Sequence, residues 1–226
     1  DFTQHFHKLL ARCLNAYRGR WENFWSSEPA CTVRLIGRET VIQKLVYAAS
    51  NPVKDGLVAR VHHWPGVNGY TNLLYSRALV ATRPKHFFRE DGPMPETVTL
   101  HLTIPPELGP ANEIIAAVRE GVEAVEATVA AERRLTGDRV LGRRAVRKQS
   151  WRASPASKEP RRNLRPRFAA ADPQTRIRAL LHYRAFLEAY RDARDRWLSG
   201  HPALFPHGTY WLRRFANVPM APQPVN

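Results

Sequence analysis

With 226 residues, 43% of them hydrophobic, the chain can bury one good core or two small ones. No apolar run approaches the roughly 18 residues of a helical membrane span and no cleavable signal pattern opens the chain, which excludes a membrane partner on this reading. Lysine and arginine outnumber aspartate and glutamate by 35 to 20, a formal charge of +15, which favours phosphate-bearing partners.

Phe2, Phe6, Leu9, Leu10, Cys13 and Tyr17 step by three or four, so the first segment is predicted to be an amphipathic helix. On that helix His5 and His7 diverge by about 200°, whereas two residues apart on a strand they would share a face and grip one ion. They are therefore surface histidines. A strand is expected near Thr32 to Ile36. Cys13 and Cys31 lack metal-ligand or redox spacing, and a reducing cytoplasm is the simple reading.

Residues 39–50 form the next predicted helix, with Val41, Ile42, Leu45, Val46 and Ala49 on the buried face. Tyr47 falls about 140° from Ile42, off that stripe, on the side that carries Gln43, Lys44 and Asn51. Packing does not require a tyrosine there, although a half-exposed ring lying over a neighbour is the structural alternative. Asn51-Pro52 is expected to end the helix, because the residue before proline is pushed out of the α region.

Residues 67–95 show few periodic signals and end in Gly92-Pro93-Met94-Pro95, which reads as a linker. Val98, Leu100, Leu102 and Ile104 alternate with Thr97, Thr99, His101 and Thr103 as in a half-buried strand ended by Pro105-Pro106. Asn112 to Leu135 is a long amphipathic helix with Gly137 as its stop, and a second long helix runs from Asp172-Pro173 to Ser199-Gly200. Between them Arg139, Arg143, Arg144, Arg147, Lys148, Arg152, Lys158, Arg161, Arg162, Arg165 and Arg167 face only Glu159. Their planar guanidinium forks suit phosphate oxygens, and the interleaved Trp151 and Phe168 would stack on unpaired bases. A solvated basic linker is the alternative for this segment, given Ser154-Pro155-Ala156-Ser157. The tail Thr209 to Phe215 mixes aromatic residues with Arg213 and Arg214, and either docks on the preceding helix or touches nucleic acid.

Residues 2–66 resemble the second half of the catalytic domain of REP-associated tyrosine transposases, of the single-tyrosine HUH transposase superfamily. The resemblance is carried by Asn15, Gly19-Arg20-Trp21, Phe24-Trp25, the run Tyr47-x-x-x-Asn51-Pro52-Val53-Lys54-x-Gly56, and Trp64-Pro65-Gly66. It implies that Tyr47 is the nucleophile, that Lys44 adds positive charge beside it, and that Asn51 helps to hold a Mg²⁺ or Mn²⁺ ion. It further implies cleavage and rejoining of single-stranded or hairpin DNA through a 5′-phosphotyrosine, in a bacterial cytoplasm close to the nucleoid. A free phenol titrates near pH ~10, so such a nucleophile needs a base, a metal or positive charge nearby. The family's paired histidines on a strand lie upstream of the first helix and are not found here. The expectation is thus an amino-terminally incomplete member, a fragment or decayed copy without half of its metal site.

The expected fold class is α+β and mostly helical, with residues 1–66 as the back half of a ferredoxin-like transposase domain. Residues 67–226 would be a helical accessory region whose segment 139–168 contacts DNA, and a homodimer is left open. The one remaining strand should have an unpaired edge. Two other functions stay in view: a non-catalytic DNA-binding remnant, and an RNA-binding or architectural basic protein.

Overall fold

The computed structural model describes residues 2–21, 23–25, 31–84, 88–150, 152–153 and 165–223. It is α+β and mostly helical. The chain forms two compact units, one of residues 1–32 with 41–165, the other of 33–40 with 166–226. The boundary expected after residue 66 falls inside the first unit. The reason is packing, since Val53, Val58 and Val61 share a core cluster with Val122, far beyond that boundary.

The first unit begins with α1 (Phe2–Arg18), helical as its period requires, so His5 and His7 do lie on a helix. The His7 ring rests on Trp25 at 4.8 Å, and the Trp25 indole N–H donates to the His7 carbonyl at 2.9 Å. Helix α2 (Arg38–Lys54) and helix α4 (Ala111–Thr136) supply most of the core. Ile42, Ala49 and Val53 on α2 meet a stripe of Ile114, Val118 and Val122 on α4. Full burial of an aliphatic side chain of this size contributes about 1.5–3 kcal/mol. The helices come close because Gly121 has no side chain: a Cβ there would lie 2.6 Å from Val46 Cγ2. Glu126, also on α4, accepts the backbone N–H of Val61 at 2.7 Å and satisfies the start of a 3₁₀ turn, Val61–His63.

The segment read as a linker is partly structured. It contains α3 (Tyr70–Leu74) and β2 (Leu79–Thr82), and β2 pairs antiparallel with β3 (Thr97–Leu100). The connection back to β3 is held by Arg83, whose guanidinium donates to the carbonyls of Met94 at 2.9 Å and Glu90 at 3.0 Å. Strand β3 was expected to be half-buried, yet all four of its residues are exposed. A two-stranded ribbon leaves both faces open, and alternation alone does not reveal whether anything covers the apolar one.

Helix α2 does not stop at Asn51. It runs through Pro52 to Lys54, and the true terminator is Gly56 at φ +66°. The Leu57 N–H donates to Pro52 O at 2.9 Å and the Gly56 N–H to Val53 O at 3.1 Å, the two bonds of a Schellman closure. Pro52 has no N–H to give to Ala48 O, so the helix tolerates it at the cost of one backbone bond in its last turn. Side chains serve two carbonyls that lie nearby: the Ser50 hydroxyl donates to Val46 O at 2.7 Å and the Asn68 amide to Ala49 O at 3.0 Å.

In the second unit, β1 (Arg34–Ile36) pairs in parallel with β4 (Phe168–Ala170). One edge of β1 is thus paired, by a strand from the far side of the basic segment, and its other edge has no strand partner among the described residues. Thr40 Oγ1 accepts the Ala171 N–H at 2.8 Å beside this pair. Helix α6 (Pro173–Leu198) opens as predicted, with Asp172 accepting from the backbone of Gln174 and Thr175 at 3.2 and 2.7 Å. Its far end packs Ala193 with Phe205 and Val218, and helix α7 (Tyr210–Ala216) follows.

Two predictions follow from the packing. Gly121→Ala should destabilise the protein by about 1 kcal/mol, because overpacking by about 1–3 kcal/mol outweighs the gain of up to about 1 kcal/mol in helix propensity. A urea-denaturation cycle with Val46→Ala should show coupling of that order, and independent effects would contradict the close contact. The Thr175 and Gln174 hydrogen bonds hold the Asp172 carboxyl below its ordinary value. Its contribution is therefore present above the unfolded value and lost as pH falls through the lower folded one. Protection of the Gln174 and Thr175 amides against exchange, relative to their intrinsic rates, should fall selectively on acidification below about pH 4, and Asp172→Ala should remove that dependence.

Candidate nucleic-acid interface

Continuation of α2 past Pro52 builds a polar face that the sequence reading recognised only in part. Lys44, Tyr47, Asn51 and Lys54 step by three, four and three and fall within about 80° of one another. They form one stripe about 15 Å long. The apolar stripe of the same helix is sealed against α4, so this face is the one left to solvent.

Tyr47 is 52% exposed. The Lys44 Nζ lies 5.7 Å from the centre of its ring and the Lys54 Nζ lies 5.6 Å from it. The tyrosine thus stands between two ammonium groups, one a turn before it and the other two turns after. Cation–π attraction at exposed sites is worth about 0.5–1 kcal/mol, enough to bias both lysines towards the ring. A phosphodiester approaching the phenol would meet positive charge from both. Lys54 was missed in the sequence because the helix was ended three residues too soon; its place seven residues after Tyr47 is the signal that finds it.

Tyr70 shows what a packing tyrosine looks like in the same unit. It lies against both core clusters, and burial, then the Glu123 and Glu126 carboxylates, push its phenol above the ordinary value. That direction keeps the proton on and is the wrong one for a nucleophile.

The basic segment reaches the same end of α2 through its backbone. The N–H groups of Leu141 and Gly142 donate to Gly56 O and Leu57 O, both at 2.9 Å. These two bonds fasten the start of helix α5 (Arg143–Lys148) to the turn that closes α2. Arg139, Arg143, Arg144, Arg147, Lys148 and Arg152 are all exposed, as is Arg165. Residues 143–148 of this segment are helical, whereas Ser154-Pro155-Ala156-Ser157, on which the linker alternative rests, lie outside the described residues. Arg161, Arg162, Lys158 and Trp151 lie outside the described residues. Arg167 belongs to the second unit, with its guanidinium 4.9 Å from the Tyr183 ring centre and its carbonyl accepting from the Arg34 N–H at 2.9 Å.

Asn51 is half-buried and offers one neutral amide oxygen on the helix face that also carries Lys44 and Lys54. Among the described residues no group of three or more His, Cys, Asp or Glu could hold a metal ion. A Mg²⁺ or Mn²⁺ site of the usual kind needs one or more carboxylates and near-octahedral oxygens. This donor set does not make one.

No helix among the described residues is long and apolar enough to cross a membrane. Set against protein-family models, curated proteins and solved structures, the chain matches none of them, so the transposase resemblance stands on the Tyr47-to-Gly56 motif and its neighbours.

Proposed function

We propose that the chain is a DNA-binding protein of the single-tyrosine transposase type, acting on single-stranded or hairpin DNA, with Tyr47 as the nucleophile. The observation that carries this reading is the half-exposed Tyr47 ring held between Lys44 and Lys54, with the basic helix α5 fastened to the end of the same helix. In this reading β1 and α2 are what the chain keeps of a ferredoxin-like catalytic domain.

The chemistry balances without further groups in the covalent step. The phenol loses its proton to solvent, its oxygen forms a bond to phosphorus, the P–O3′ bond breaks, and the departing 3′ oxygen takes a proton from water. The products are a 5′-phosphotyrosyl link and a free 3′-hydroxyl, and attack by such a hydroxyl reverses the step. Lys44 and Lys54 would attract the phosphate and offset the charge that builds on its oxygens. Asn51 would orient the strand by hydrogen bonding. No step is assigned to a metal, because the residues present do not form its site.

A second reading, a non-catalytic DNA-binding remnant, is favoured by one detail: both ammonium groups face the ring, where they support stacking as well as chemistry. One series of variants separates the two. With hairpin-flanked single-stranded DNA, the nucleophile reading expects a covalent adduct on a denaturing gel that Tyr47→Phe abolishes. Adducts that persist in Tyr47→Phe would remove Tyr47 from the chemistry. Binding that survives Tyr47→Phe but falls in Tyr47→Ala, with no adduct from the unmutated protein, selects the stacking reading.

The basic helix has its own test. Replacing Arg143, Arg144 and Arg147 together by Ala should reduce the slope of log affinity against log salt by about 2, from about 0.7 per lost single-strand phosphate contact. An unchanged slope would take α5 out of the interface.

A further inference from the structure

The second unit holds an open cleft of about 1030 Å³, lined by β1, β4, one side of α6 and the start of α7. Its chemistry is one-sided. Arg34, Arg178, His182 and His207 line it, and among the described residues no carboxylate does. The rest of the wall includes four aromatic residues, Phe186 among them, with Phe168 and Tyr183 edge to face at 5.9 Å and Tyr210 near His207 at the same separation. Asp172, which caps α6 from outside the lining, accepts from the Thr175 hydroxyl at 2.8 Å and interacts electrostatically with Arg178, so that guanidinium is partly offset.

From this lining we infer that the cleft is a nucleotide-binding groove, taking a phosphate on Arg34 and Arg178 and a base on Tyr210. Tyr210 suits the stacking role because its ring is 63% exposed, whereas Tyr183 already has the Arg167 guanidinium 4.9 Å from its centre. Arg178 is partly oriented in advance, since its Nη2 donates to Thr175 Oγ1 at 3.2 Å. Arg34 stands on a strand fixed by its ladder with β4, so its charge projects from a rigid element. Guanidinium groups pair with phosphate oxygens through two parallel hydrogen bonds, and an exposed aromatic ring accepts any base by its face. The ligand is a nucleoside phosphate, either free or as one link of a single strand. This inference is independent of Tyr47, which belongs to the other unit.

The full chain carrying Tyr47→Phe isolates the groove from any covalent chemistry. A short oligothymidylate with one 5-iodouracil is bound, irradiated, and the attachment mapped by mass spectrometry. Attachment within residues 207–215 is expected. Affinity should fall about tenfold in Arg34→Ala with Arg178→Ala and again in Tyr210→Ala, while Tyr210→Phe, which keeps the ring, should bind as the parent does. Thymidine monophosphate that displaces the oligonucleotide from residues 207–215 identifies a site for free nucleotides; failure to displace it identifies a site for a strand. Attachment confined to residues 41–165, with unchanged affinity in Tyr210→Ala, would overturn the proposal. Because Tyr210 is largely exposed, that variant is expected to fold whatever happens to the arginine pair.

Discussion

The left-handed turn at Gly56 governs the geometry of the first unit, because it fixes where α2 ends and what is tied to that end. A residue with a Cβ is disfavoured at φ +66°, so the position is specified by the one side chain that is missing. Had the helix stopped before Pro52, Lys54 would have lain in a loop with no fixed relation to Tyr47. Carried three residues further, the helix aligns both lysines with the tyrosine and presents Gly56 O and Leu57 O to the backbone of Leu141 and Gly142. One backbone conformation thus joins the phenol, its flanking charges and the basic helix.

Burial assigns the opposite roles to the two sides of α2. Ile42, Ala49 and Val53 are committed to α4, and Gly121 brings the helices so close that α2 has little freedom to roll about its axis. Rotation by one residue would drive Tyr47 towards the core and a valine towards water. The apolar packing therefore holds the orientation of the polar stripe on the opposite side of the helix.

Much of this was legible because helical period is written locally. The four long or well-patterned helices α1, α2, α4 and α6 were found from apolar spacing, Asp172 from its N-cap chemistry and Gly137 from its position after a periodic run. Tyr47 was placed off the buried stripe by angle alone, and its exposure agrees. What escaped the sequence was long-range. Nothing near Arg34 announces that Phe168 will pair with it, and alternation in residues 97–104 could not say that β3 would lie uncovered. The end of α2 was misplaced by giving the residue before proline precedence over a glycine four positions on. The cationic cleft was invisible for the same reason as the strand pair: Arg34, Arg178 and His207 meet only after the chain has returned from a long excursion.

That excursion has a kinetic side. The Thr40 and Ala171 contact spans 131 positions, and the strand ladder beside it closes a loop of similar size. Closing so large a loop in an unstructured chain is slow, and collapse of the intervening residues around α2 and α4 shortens the effective path. During synthesis the segment 33–40 must wait, unpaired, until the ribosome has delivered residue 170. Completion of the second unit therefore waits on the last part of the chain to be made.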